Sequence, residues 1–209
     1  MEAVSSGRPS ALRRELSAPL FWGSLLFLAL VGAGLVFAST RLGAGLSDDS
    51  YYYIQPARAA LGGGDLVLNP LFPPLLPVIL KWLGVLRIDP LDGIRYLNVF
   101  LFGLNIFLSG ALLKDLTRSA PFALFGALLA LGSEPLINVH AWALSEPLYI
   151  ALLLGSLYLL SRYYESSTQN WLVISALMAG LAAVTRYAGV TLVAAAAAYL
   201  LLRWFRGRS

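Results

Sequence analysis

Between residues 19 and 38 the chain reads PLFWGSLLFLALVGAGLVFA, with no charged position. A helix rising about 1.5 Å per residue over such a run crosses a hydrocarbon core of about 30 Å, so the pattern predicts a first membrane span. A cleaved signal peptide is the rival reading, but its apolar core is usually about 7–15 residues long and the polar, basic leader here (1–18) is extended. Further apolar stretches at 96–113, 120–142, 143–160, 171–185 and 188–202 are separated by charged breaks. Together they predict an all-α, polytopic transmembrane bundle of about six spans in one membrane-embedded module (1–209).

The segment between the first two spans, 39–95, has a different pattern. DDSYYYIQPARAAL opens on two carboxylates, which suit a helix N-terminus, and is followed by Gly62, Gly63 and Gly64, a helix stop. NPLFPPLLPVILKWLGVLRIDP begins with prolines at 70, 73, 74 and 77 and continues as a short apolar helix carrying Lys81 and Arg87. Its apolar part is too short and too charged to span, so helices lying in the membrane interface are expected. A re-entrant hairpin is the alternative.

Composition supports the membrane assignment. Hydrophobic residues make up 58% of the 209 positions and charged residues 12%, with a mean hydropathy of +0.74, whereas a soluble domain needs about 25% charged residues to cover its surface. The net charge of +4 is too small and too scattered to suggest a nucleic-acid partner. With no cysteine and one histidine, disulfides, thiolate metal sites and His-rich zinc centres are excluded. With a cytoplasmic N-terminus, Arg8, Arg13, Arg14, Lys114, Arg118, Arg162, Arg203, Arg206 and Arg208 lie inside, and Arg41, Arg58, Lys81, Arg87, Arg95 and Arg186 outside. That excess obeys the positive-inside rule. It predicts a multi-pass protein of the plasma (inner) membrane, with 1–18 as a cytoplasmic leader and 39–95 as an extracytoplasmic loop.

Charges inside a bilayer are costly, so each is a candidate site. From Arg118 to Glu134 the apolar run is about 15 residues, roughly 22 Å of helix, and the run from Trp171 to Arg186 has the same reach. Glu134 and Arg186 are therefore expected at similar depth. They form either a structural ion pair or the walls of a cavity open to the outer side, where Arg186 could bind a lipid phosphate. Asp48 and Asp49, followed by Tyr51, Tyr52 and Tyr53, read from position as helix caps with an interfacial aromatic belt, the alternative being a general base with its neighbour. Glu146, between Ser145 and Pro147, opens a span and suits a helix start. His140 falls in the outer connection between two spans, where it is either a surface group or part of a site.

Taken in order, DDSYYYIQPARAAL, NPLFPPLLPVIL, ALSEPLYIALLLGSLYLLSRY and GLAAVTRYAGVTLV make the chain resemble the N-terminal half of polytopic glycosyltransferases of the GT-C class. That class includes the protein mannosyltransferases and aminoarabinose transferases that use polyprenyl-phosphate sugars. The resemblance covers about residues 19–205. It implies inverting sugar transfer at the outer face from a lipid-linked phosphosugar, with Asp48 as the base and Asp49 as its neighbour or the contact of a divalent metal ion. It implies that Arg186 offsets the charge of the departing phosphate, with Arg58 and Lys81 as weaker candidates. Glu146, Glu134 and His140 are further candidates for substrate binding. Members of the class usually carry more spans, so either a missing C-terminal region or a partner subunit is expected. Membrane lipids are the other expected partners. Two competing readings remain at this point: a small transporter or lipid-binding protein whose path is lined by Glu134, Glu146 and Arg186, and a scaffold subunit to which the acidic pair is dispensable.

Overall fold

In the computed structural model, residues 17–206 are described; most of the expected leader lies outside them. Nine helices form among these residues: α1 (Ala18–Ser39), α2 (Asp48–Leu61), α3 (Leu75–Val85), α4 (Pro90–Thr117), α5 (Ala120–Leu131), α6 (Glu134–Ala141), α7 (Glu146–Ser166), α8 (Gln169–Ala183) and α9 (Gly189–Arg206). The architecture is all-α, as the apolar periodicity requires. Leu26, Phe27 and Leu30 of α1 are each more than half exposed, an arrangement that water would penalise and lipid does not. The protein is an integral membrane protein.

The length and apolarity needed to cross a bilayer are met by α1 and α4, and by a third span if α5 and α6 count as one broken helix. The sequence pattern predicted a continuous span over 120–142. Instead the chain bends by 54° between α5 and α6, because Gly132 ends the first helix and Pro135, which has no N–H to give, sits in the first turn of the second. The helices α7, α8 and α9 fall where the remaining stretches were expected, α8 being short, so about six spans reduces to two or three by this measure.

Two glycines set the spacing of the bundle. At Gly103 of α4 a side chain would meet the Ala29 carbonyl oxygen at 2.8 Å, and Gly32 of α1 lies beneath Phe102 and Ile106. Backbones approach closely where small residues permit it, and here they bring α1 and α4 together, antiparallel. The contact of α7 with α8 is polar: Ser156 Oγ donates to the Ser175 carbonyl at 3.0 Å, and Ser175 Oγ to the Ser156 carbonyl at 2.8 Å.

Among the described residues, Lys114, Arg118 and Arg162 stand at one end of this bundle and Arg95 at the other, while Arg8, Arg13, Arg14 and Arg208 lie outside the described residues. At one end Lys114 stands 5.8 Å from the Phe21 ring, and Arg118 and Arg162 share Glu165. At the other, Arg95 lies over Phe37 at 4.8 Å and donates to Thr40 Oγ1 at 3.2 Å, closing the end of α1.

Helices α2 and α3 build the cap at that second end. Tyr53, Ile54 and Ala57 pack in one cluster with Leu76 and Leu80, and Leu61 lies against Gly84. The two helices therefore run side by side in the same direction, with 62–74 as the return. The tie to α4 is a two-point ion pair, Arg58 Nη2 to Asp89 Oδ1 at 2.7 Å and Nε to Oδ2 at 3.1 Å. The Arg58 guanidinium, aided by the Leu91 N–H, holds the Asp89 carboxyl below its ordinary range. A depressed folded value means the contribution is complete above the unfolded pKa of about 3.9 and is lost as pH falls through the lower folded value. The pair is exposed, so it is worth little, about 1 kcal/mol or less. Asp89→Asn should therefore lower the melting temperature slightly at pH 7 and converge on wild type at acid pH; a gap that persists at pH 2 overturns the assignment.

Candidate functional site

The functional groups converge at the end of the bundle capped by α2 and α3. Ser47 begins α2, and its N–H donates to Ser50 Oγ at 2.9 Å, while Asp48 and Asp49 occupy the first turn. A helix places residues three and four apart on one face, so the two carboxylates head adjacent faces. Asp49 shares a face with Tyr52 and Tyr53, and Asp48 shares one with Tyr51, Tyr52 and Gln55.

The Asp49 face forms one wall of a cavity of about 280 Å³, whose other lining includes Phe72, Pro73, Arg186 and Tyr187. Its second wall, the proline-rich stretch, is held at both ends. Leu75 N–H donates to the Val184 carbonyl at 3.1 Å, and the Tyr187 hydroxyl donates to the Pro70 carbonyl. Phe72 stacks on Tyr52, with centroids 4.4 Å apart, and meets Tyr53 edge-on at 5.5 Å.

Beneath the cavity runs a chain of polar contacts. The Tyr53 and Ser145 hydroxyls share a hydrogen bond of 3.0 Å, Arg186 Nη1 donates to Ser145 Oγ at 3.3 Å, and the same nitrogen lies 2.6 Å from Glu146 Oε1. Burial, with Glu146 and Asp49 adding, outweighs the Ser145 bond and Arg186 and pushes the Tyr53 phenol above its ordinary value, so it remains a hydrogen-bond donor at neutral pH. Glu146 Oε2 is buried with no hydrogen-bond partner. Oε1 alone thus holds the guanidinium from one side, and Oε2 is an acceptor to spare.

The break between α6 and α7 delivers Ser145 and Glu146 to this chain. Gly45 and residues 141–143 exchange backbone bonds of 2.8 Å each way. Asn98 Nδ2 donates to the Trp142 carbonyl at 2.7 Å, and Asn105 Nδ2 reaches both His140 Nε2 at 2.9 Å and the Pro147 carbonyl at 3.1 Å. His140 Nδ1 lies 2.7 Å from the Leu136 carbonyl, so Nδ1 carries the proton and Nε2 accepts from Asn105.

The fate of each expected site residue follows. Asp49 and Arg186 line one cavity and Arg186 pairs with Glu146, while Asp48, exposed like Asp49, is not among the lining residues. Glu134 does not join them: it is exposed at the start of α6 and makes no ion pair among the described residues. The expected Glu134–Arg186 pair is replaced by Glu146–Arg186, because the bend after α5 directs α6 away from the line on which equal depth was reckoned. His140 is 1% exposed, a buried brace rather than a surface group. Arg58 is occupied by Asp89, and Lys81, half-buried on α3, is not among the residues lining the cavity. Among the described residues no group of three or more His, Cys, Asp or Glu side chains is placed to hold a metal ion. Sequence reading missed Ser145, Asn98 and Asn105, although two asparagines seven apart in an apolar helix lie on one face and signal a polar contact across helices.

Residues 72–209 match the family model for dolichyl-phosphate-mannose-protein mannosyltransferase. The matched region contains Phe72, Ser145, Glu146 and Arg186, and begins after the acidic pair. No curated protein matches, and no solved structure does.

Proposed function

The chain belongs to the dolichyl-phosphate-mannose-protein mannosyltransferase family, and from that premise we propose that it transfers a sugar, in an inverting displacement, from a polyprenyl-phosphate donor to an acceptor hydroxyl at the extracytoplasmic face. The donor occupies the cavity, its phosphate toward Arg186 and its sugar toward Asp49 and the Tyr53 hydroxyl. Asp48 takes the proton of the acceptor hydroxyl as its oxygen bonds to the anomeric carbon. The bond from that carbon to the phosphate oxygen breaks on the opposite side. The departing polyprenyl phosphate gains negative charge, which the Arg186 guanidinium offsets.

The observation that carries this reading is the convergence of Asp49, Tyr53, Phe72, Pro73, Arg186 and Tyr187, dispersed along the chain, on one cavity, with Ser145 and Glu146 in contact with Tyr53 and Arg186. Asp49 lines the cavity, and Asp48, the residue before it in the first turn of α2, is exposed to an acceptor arriving from the aqueous side.

The test is sugar release from a panel of radiolabelled polyprenyl-phosphate sugars by the reconstituted protein. Turnover of one donor is expected, and its identity names the sugar. Saturable donor binding with no turnover of any donor, in the presence of acceptor, overturns the transferase reading in favour of a lipid-binding protein.

A further inference from the structure

Ser145 is the pivot of the polar chain beneath the donor cavity, and it is fully buried. Among the described residues its hydroxyl has two partners, Arg186 Nη1 at 3.3 Å and the Tyr53 hydroxyl at 3.0 Å. A serine hydroxyl carries one proton and two lone pairs, and a guanidinium can only donate. The contact with Arg186 therefore occupies a lone pair of Ser145 Oγ and leaves the serine proton to be placed, and Tyr53 Oη is the acceptor in reach. We infer that Ser145 donates to Tyr53 and is the positioning residue that frees the phenol proton for the donor cavity, where a hydroxyl oxygen of the bound sugar accepts it; the inference rests on the transferase reading and deepens its donor site.

The opposite direction, Tyr53 to Ser145, would leave the buried serine proton without an acceptor, and an unmade bond in a buried group costs more than a made one returns. Tyr53 has the outlet that Ser145 lacks, because it borders the cavity together with Asp49 and Arg186. Its ring is fixed before any ligand arrives: it meets Phe72 edge-on at 5.5 Å and packs with Leu76 and Leu80. The cation at the head of the chain polarises each hydroxyl in turn, which strengthens the last donor. Asp49, one turn before Tyr53 on the same helix, brings an acceptor to the same cavity. A sugar hydroxyl, which donates and accepts at once, satisfies both groups. A phosphate oxygen would be repelled by the carboxylate, and Arg186 is its natural partner.

The experiment has two arms on the reconstituted full chain. In the first, a polyprenyl-phosphate mannose and the bare polyprenyl phosphate are titrated against wild type, Tyr53→Phe, Ser145→Ala and the double variant. Each single substitution should weaken the glycosylated lipid about twofold to tenfold, the usual worth of one neutral hydrogen bond, and leave the bare lipid unchanged. The double variant should lose no more than either single one, since both remove the same contact. The second arm follows the Tyr53 phenol by the ζ-carbon resonance of labelled tyrosine, assigned by its absence in Tyr53→Phe. A phenol oxygen that accepts from Ser145 has its ionised form favoured, so Ser145→Ala should move its titration to higher pH. A shift to lower pH makes Tyr53 the donor to Ser145 and overturns the inference. Equal weakening of both lipids, or glycosylated lipid bound by Tyr53→Phe as by wild type, also overturns it. Wild type that binds neither lipid removes the transferase reading and the sugar contact with it, and the direction of the Ser145–Tyr53 bond is then decided by the titration alone.

Discussion

Replacing Asp48 by asparagine is expected to reduce sugar transfer by about 10²–10⁴-fold, the usual contribution of a positioned general base, while leaving the melting temperature near that of wild type. The carboxylate is exposed in the first turn of α2, where its interaction with the helix dipole is worth about 0.3–1 kcal/mol, so the fold does not depend on it. Donor affinity should also be retained, since Asp48 is not among the residues lining the cavity. Asp49→Asn provides the contrast: as a wall residue beside Arg186 it should change donor KM more than the pH-independent rate. Transfer by Asp48→Asn at the wild-type rate removes it from the base role, and loss confined to Asp49→Asn assigns the base to the wall instead.

The second large effect concerns Arg186. Truncation to alanine removes a charged donor from the phosphate, and hydrogen bonds to charged groups are worth about 1.5–3 kcal/mol. Affinity for a polyprenyl phosphate should therefore fall about tenfold to a hundredfold, measured by titration of the lipid against both proteins. The same truncation strands Glu146, one of whose oxygens already lacks a partner, and so lowers thermal stability. A cycle of Arg186→Ala, Glu146→Gln and the double variant separates the two effects. Stability should be partly recovered in the double variant, because no unpaired carboxylate is left, while phosphate affinity stays low. If Arg186 serves only as Glu146's structural partner, all four proteins bind the lipid phosphate equally, and the donor role is removed.

Much of this molecule is legible one residue at a time. The uncharged run at 19–38 becomes α1, and the acidic start and glycine stop of the first loop delimit α2 at Asp48 and Leu61. Those signals are local: caps, apolar runs and helix breakers act through the backbone of their own segment. The bend between α5 and α6 also has a local cause in Gly132 and Pro135, but reading the run 120–142 by hydropathy alone hides it, since neither residue lowers apolarity enough to mark a break.

The partners of the polar side chains are another matter. Depth along straight helices pairs Arg186 with Glu134, yet the bend carries Glu134 away and the α6–α7 break brings Glu146 to 2.6 Å from Arg186. The asparagines of α4 secure that break, and nothing in their immediate sequence says which carbonyl they will meet. The sequence by itself determined that the chain is helical and membrane-embedded and that its first loop opens a helix on an acidic pair, because hydrophobic transfer and helix termination depend on composition and near neighbours. The tertiary structure alone decided that Asp49 lines a cavity with Arg186 and that Ser145, Glu146 and Arg186 form one chain of contacts. Those facts depend on helix rotation and on a bend of 54°, which are set by packing between segments far apart in the chain.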